Sequence, residues 1–89
     1  MAPGRPNPFL SAADFSYSLE RDSNIRITVL DIHGRLVTTL DAGVKQAGAY
    51  SVRWDGRDRL GKRAASGIYF VTVRDDKGTL ASRKIVRLR

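Results

Sequence analysis

Between Gly48 and Phe70 the chain alternates, breaks at a polar corner, and turns apolar again. Tyr50, Val52 and Trp54 fall on one face, with Ser51 and Arg53 opposite, the period-two pattern of a half-buried strand. Asp55-Gly56-Arg57-Asp58 and Gly61 interrupt it, and Ser66-Gly67 leads into Ile68-Tyr69-Phe70. These are two strands of a small β-sandwich and the corner between them. Trp54, the only tryptophan, is the expected centre of the core, because an indole removes more area from water than any other side chain. Tyr50, Trp54, Asp55, Gly56, Asp58, Gly61, Gly67 and Tyr69 form the structural motif, and nothing in it is a catalytic constellation.

The rest of the chain repeats the strand signal. Phe15, Tyr17 and Leu19 alternate with Ser16, Ser18 and Glu20, and Arg21 to Asn24 make a polar turn. Ile25, Ile27 and Val29 share a face, with Leu30 and Ile32 opposite, so this strand is expected to be central. Asp31-Ile32-His33-Gly34 is a tight connection in which glycine supplies the positive φ. The next strand is expected over Leu36 to Leu40, with a loop from Asp41-Ala42-Gly43 to Gly48. Ile68 to Val73 is apolar on both faces, which predicts cover on both sides. Asp75-Asp76-Lys77-Gly78 is a hairpin turn. The last strand runs from Thr79 towards Leu88, and adjacent Ile85 and Val86 imply a bulge or two-sided burial. No segment has a 3.6-residue period. Short strands spaced by turns predict an all-β fold, an immunoglobulin/fibronectin-III-like antiparallel β-sandwich of about six or seven strands with a Greek-key element.

Eighty-nine residues make one domain. Residues 1–13 are a Pro/Gly/Ala-rich lead-in, with Phe9 of Asn7-Pro8-Phe9 as a plug on the sandwich edge, and 14–89 are the folded unit. A chain this short buries only about 60–65% of its unfolded surface, so the core is thin. It has no cysteine, which excludes disulfides and thiol chemistry. There is no apolar run of bilayer length and no apolar signal-peptide region. The net charge of +7, from 16 Lys and Arg against 9 Asp and Glu, suits a solvated basic surface and also any polyanion.

Enzyme readings fail on inventory. His33 is the only histidine and sits in a turn. Ser66 has neither a nucleophile-elbow frame nor a base. Asp55 and Asp58 suggest a calcium loop, but Arg57 and Arg59 interleave them, so both are expected to accept loop N–H groups instead. No cofactor or metal is expected. Aromatic residues fall on the core face, Tyr69 alone being a candidate for exposure, which argues against specific nucleic-acid binding.

Taken in order, several motifs resemble one family. They are Asn7-Pro8-Phe9, Tyr17-x-Leu19, Val29 to Val37, Thr39-Leu40, Ala47-Gly48-x-Tyr50-x-Val52-x-Trp54-Asp55-Gly56-Arg57-Asp58, Gly61, Ala65 to Phe70 and Arg83 to Val86. From Asn7 to Arg89 the chain resembles the immunoglobulin-like domain of the flagellar hook-capping protein FlgD, whose relatives include type A C-terminal sorting domains of type IX secretion cargo. Leu30 departs from the aromatic residue frequent in that family.

The resemblance implies a non-catalytic domain that directs an attached cargo protein through type IX secretion to the bacterial cell surface. Its partners would be secretion or assembly machinery and a covalently attached upstream cargo domain in the full-length parent. The recognition determinant is placed on the last strand, at Arg83, Lys84, Ile85, Val86, Arg87 and Arg89, whose charges equally suit edge protection. Two alternatives stand beside it. One is a hook-capping-type domain in flagellar assembly. The other is an adhesion domain binding anionic glycans through Arg53, Arg57, Arg59 and Arg63.

Overall fold

Alternation sets which side of each strand is buried. In β1 (Ala13–Leu19) the residues Ala13, Phe15, Tyr17 and Leu19 are buried while Asp14, Ser16 and Ser18 are exposed. The computed structural model describes residues 13–88, and β1 is followed by β2 (Ser23–Asp31), β3 (Leu36–Lys45), β4 (Gly48–Trp54), β5 (Gly67–Asp75) and β6 (Gly78–Arg87). The Phe9 plug and Arg89 lie outside the described residues.

The six strands form two antiparallel sheets, β1-β4 and β3-β2-β5-β6. β4 passes the β2–β3 hairpin and returns beside β1, the long-range return of a Greek key spread over two layers. The smallest extent of the molecule, 20 Å, fits two sheets about 10 Å apart with side chains outside each. β2 is central, as its two-faced apolar pattern predicted, pairing with both β3 and β5.

The core is filled from both layers: Phe15, Tyr17, Leu19 and Trp54 from the small sheet, and Ile25, Ile27, Val29, Tyr69, Val71, Val73 and Ile85 from the large one. Trp54 is 1% exposed and meets the Tyr69 ring edge-on, with 5.1 Å between centroids. Its Nε1–H donates to the Arg57 carbonyl at 2.9 Å. Tyr17 stacks on Tyr50 across the β1–β4 pair at 5.4 Å.

Four expectations need correction. β3 does not end at Leu40 but continues to Lys45, because long β2 offers a hydrogen-bonding partner as far as Ser23. Its register slips twice, leaving Val37 and Leu40 as extra residues packed against the core. β5 is not covered on both sides: Tyr69, Val71 and Val73 are buried, while Ile68 and Phe70 on the other face are only half-buried. Tyr69 is not exposed, because its ring closes over Trp54 and its hydroxyl donates to the Ala65 carbonyl at 2.6 Å. No bulge separates Ile85 from Val86; Ile85 enters the core, Val86 stays on the outer face, and the β6 slip lies at Leu80.

Candidate functional site

Two loops at one end of the sandwich are built to one plan. Asp31-Ile32-His33-Gly34-Arg35 joins β2 to β3, and Asp58-Arg59-Leu60-Gly61-Lys62 lies in the β4–β5 corner. In the first, Asp31 Oδ1 accepts the His33 and Arg35 N–H groups, both at 2.9 Å. In the second, Asp58 Oδ1 accepts those of Leu60 at 2.9 Å and Lys62 at 3.0 Å. The glycine N–H donates back to the aspartate carbonyl in both, at 2.9 and 3.0 Å. Gly34 and Gly61 take matching φ values of 81° and 86°. One short carboxylate thus organises five residues of backbone, which is why aspartate opens each loop and glycine stands three places on.

The second loop is fastened to the start of β3, just after the first, since Arg59 N–H donates to the Val37 carbonyl at 3.1 Å. Between them lies a shallow cleft of about 330 Å³, floored by Val37, Ala64 and Tyr69 and rimmed by Leu36 and Leu60. Leu60 is 79% exposed and Ile32 60%, so this end presents apolar side chains beside basic ones. In the corner itself, Asp55 Oδ1 accepts the Arg57 N–H at 3.1 Å, and Ala64 N–H donates to the Gly56 carbonyl.

Hydrogen bonds from backbone donors, that of Arg35 foremost, hold the Asp31 carboxyl below the usual carboxylate range. The Lys45 ammonium, 2.9 Å away, does the same for Asp41. A carboxylate with a depressed folded pKa adds stability above its unfolded value and loses it as pH falls through the folded one. Thermal stability is therefore expected to drop on acidification below about pH 4. Asp31→Asn, which keeps an Oδ1 acceptor but cannot titrate, should lose less between about pH 6 and 3, as thermal melts across that range will show.

The structure separates the residues proposed for recognition. Ile85 is in the core and Arg87 is 4% exposed, its Nε–H reaching the Gly56 carbonyl at 3.4 Å and its Nη1–H the Leu88 carbonyl at 3.0 Å. Arg83 also turns inward at the edge, its guanidinium 5.4 Å from the Phe15 ring. Of the described residues in that run, Lys84 and Val86 face outward, because strand alternation divides the run between two faces. Of the arginines of the glycan reading, Arg57 and Arg63 pair across the β4–β5 corner, but Arg53 stands apart from them. Arg53 lies on the outer face of β4, bound to Asp14 at 2.9 Å, while Arg57 Nη1–H donates to the Gly61 carbonyl. His33 contributes its backbone to the first loop. Among the described residues no cluster of His, Cys, Asp or Glu is placed to hold a metal ion, and no helix is long and apolar enough to cross a membrane.

The family model for the FlgD Ig-like domain matches residues 10–79. The chain belongs to the FlgD Ig-like domain family. Its curated relatives include the basal-body rod modification protein FlgD of Salmonella typhimurium, 29% identical over 69 residues. That match takes in 76% of this chain but 30% of the relative's length, so the domain corresponds to a minor part of that protein. Among solved structures, FlgD of Xanthomonas campestris, described as a hook-capping protein essential for flagellar assembly, superposes with a TM-score of 0.62. The two are 28% identical over 85% of this chain and 55% of that one. FlgD from P. aeruginosa gives 0.65 at 26% identity, covering 84% and 58%. Dimeric latent PorU from Porphyromonas gingivalis also gives 0.65, over 93% of this chain and 9% of its own, but at 22% identity it shares the fold alone. The FlgD-like corner residues that sequence reasoning grouped, Trp54 to Gly61, are together in space. The twin Asp-x-x-Gly-Arg/Lys loop is a further feature of the site, carried in the sequence by the repeat Asp31-Ile32-His33-Gly34-Arg35 and Asp58-Arg59-Leu60-Gly61-Lys62.

Proposed function

We propose that this FlgD-like domain is a non-catalytic docking module of an extracytoplasmic assembly apparatus, acting as the Ig-like domain of hook-capping proteins does. The observation that carries this is the family match together with FlgD neighbours that superpose over most of the chain. Its polar side chains support the same reading, since the loop carboxylates are engaged in holding backbone and are not poised for proton transfer. An apolar end framed by basic residues is what a protein-docking surface requires.

The test is a chimera. The full chain replaces the Ig-like domain of the Salmonella FlgD, and hook completion and swimming are scored against a strain lacking that domain. Restored hooks are expected. The competing reading, an export address for an attached cargo, makes the opposite forecast. A reporter with a signal peptide, fused ahead of this chain in a type IX secretion host, would then reach the cell surface while the chimera assembled no hooks. That pair of results would replace the assembly reading with the sorting one.

A further inference from the structure

The outer face of the four-stranded sheet differs from that of its partner layer. On the small sheet the charged cross-strand pair is Asp14 opposite Arg53, an ion pair at 2.9 Å. On the large sheet Arg26 stands directly opposite Arg74. Both are exposed and neither forms an ion pair among the described residues. Like charges in register repel, and strands tolerate them at a cost. Of the carboxylates on the four strands, Asp31 and Asp41 pair on the inner side, with Tyr69 and Ile27, and Asp75 stands at the very end of β5. Asp75 and Asp76 stand at the hairpin rim of the groove that Arg26 and Arg74 line, a space of about 460 Å³, and Asp75 Oδ1 is engaged by the Lys77 N–H at 2.7 Å.

Following the strands away from the arginines, the face changes character in steps. Thr28 and Thr72 come next, outward-facing yet buried at 7% and 6% exposure. Then Leu30 pairs with Phe70, flanked by Leu36, and Ile68 pairs with Val86, all half-buried or exposed. From Arg74 to Ile68 the gradient spans roughly 20 Å, at about 3.3 Å per residue. The edge hydrogen bonds of the sheet do not point out of this face, so an added strand cannot use it. Sheet faces are covered by helices or by other sheets.

We propose that this face docks a short acidic amphipathic helix of a partner protein, its carboxylates over Arg26 and Arg74 and its apolar stripe over Leu30, Phe70 and Ile68. Charge complementarity selects the occupant. A second copy of this chain would bring arginine against arginine on a molecule of net charge +7. A helix of about 14 residues spans the gradient at 1.5 Å per residue. Carboxylates in its first turn complement both its own dipole and the arginine pair. The inference rests on the docking-module reading but not on which apparatus the module serves.

The experiment titrates the full 89-residue chain, labelled with nitrogen-15, with a synthetic 14-residue peptide. The peptide has Asp and Glu in the first turn and Leu at helical spacing. Amide shifts are expected on residues 24–30, 68–74 and 82–86, weakening with salt and vanishing when lysine replaces the acids. Arg74→Glu should weaken binding at least tenfold and raise the melting temperature, since Arg26 would then face an opposite charge. Arg26→Glu should do the same, and Lys62→Glu in the β4–β5 corner, outside this groove, should change neither. Shifts concentrated on residues 55–63 would overturn the proposal. So would undiminished binding by Arg74→Glu, a lower melting temperature in that variant, or outer-face shifts produced only by phosphatidylglycerol vesicles. If this face proves silent while the chimera builds hooks, the helix-docking inference falls and the assembly reading stands.

Discussion

Trp54→Ala is expected to destabilise the domain by about 3–5 kcal/mol, the usual cost of a cavity the size of a buried indole. The ring is 1% exposed, sits where the two sheets meet, and packs edge-on against Tyr69. A domain of this size holds only about 4–13 kcal/mol in total, at roughly 0.05–0.15 kcal/mol per residue. The loss would leave the variant marginal or unfolded at room temperature. Trp54→Phe separates the two contributions of the side chain. It keeps most of the apolar volume but removes the Nε1–H donor to the Arg57 carbonyl, and should cost about 1–3 kcal/mol. Urea titrations followed by far-ultraviolet circular dichroism give both values without relying on the tryptophan signal. A midpoint that barely moved in Trp54→Ala would show that the indole does not close the core.

Why that position was readable at all is plain from the local pattern. Tyr50, Val52 and Trp54 alternate strictly with polar residues, and period two leaves only one face for the core. The same logic gave β1, β2 and the β5–β6 hairpin. It failed where side chains stopped reporting on the backbone. Asp41 to Lys45 reads as a loop because Asp, Gly and Lys are poor strand formers, yet β2 holds those residues in its ladder as far as Lys45. It failed again on β5, where apolar Ile68 and Phe70 imply a second cover, yet the β1–β4 layer packs on the opposite face of the sheet, against Tyr69, Val71 and Val73. The basic run of β6 was legible as a charge cluster but not as two faces, because the inward turn of Arg83 and Arg87 depends on pairing with Val71 and Gly67. The twin aspartate loops were open to a purely local reading, since each needs only one carboxylate, one glycine and the backbone between them.

The β4–β5 corner carries the second large expected effect. Gly56→Ala should cost about 2–4 kcal/mol, from two sources that can be measured apart. At φ of 83° any side chain pays for a left-handed backbone, about 1–2 kcal/mol. A Cβ there would also lie 3.0 Å from Arg87 Nε and 3.2 Å from Nη2. That guanidinium is the end of a flexible side chain, but at 4% exposure it cannot swing aside without losing its bonds to the Gly56 and Leu88 carbonyls. Gly61 supplies the control: its φ is 86°, and nothing lies within 4 Å of its added Cβ, so Gly61→Ala should show the backbone cost alone. In an Arg87→Ala background the obstruction is gone, and the cost of Gly56→Ala should fall to that of Gly61→Ala. The coupling in this double-mutant cycle isolates the contact between the corner and the end of β6. Faster amide exchange at residues 83–87 in Gly56→Ala is expected, because the buried arginine is what fastens the last strand to the corner; equal costs at Gly56 and Gly61 would show that it does not.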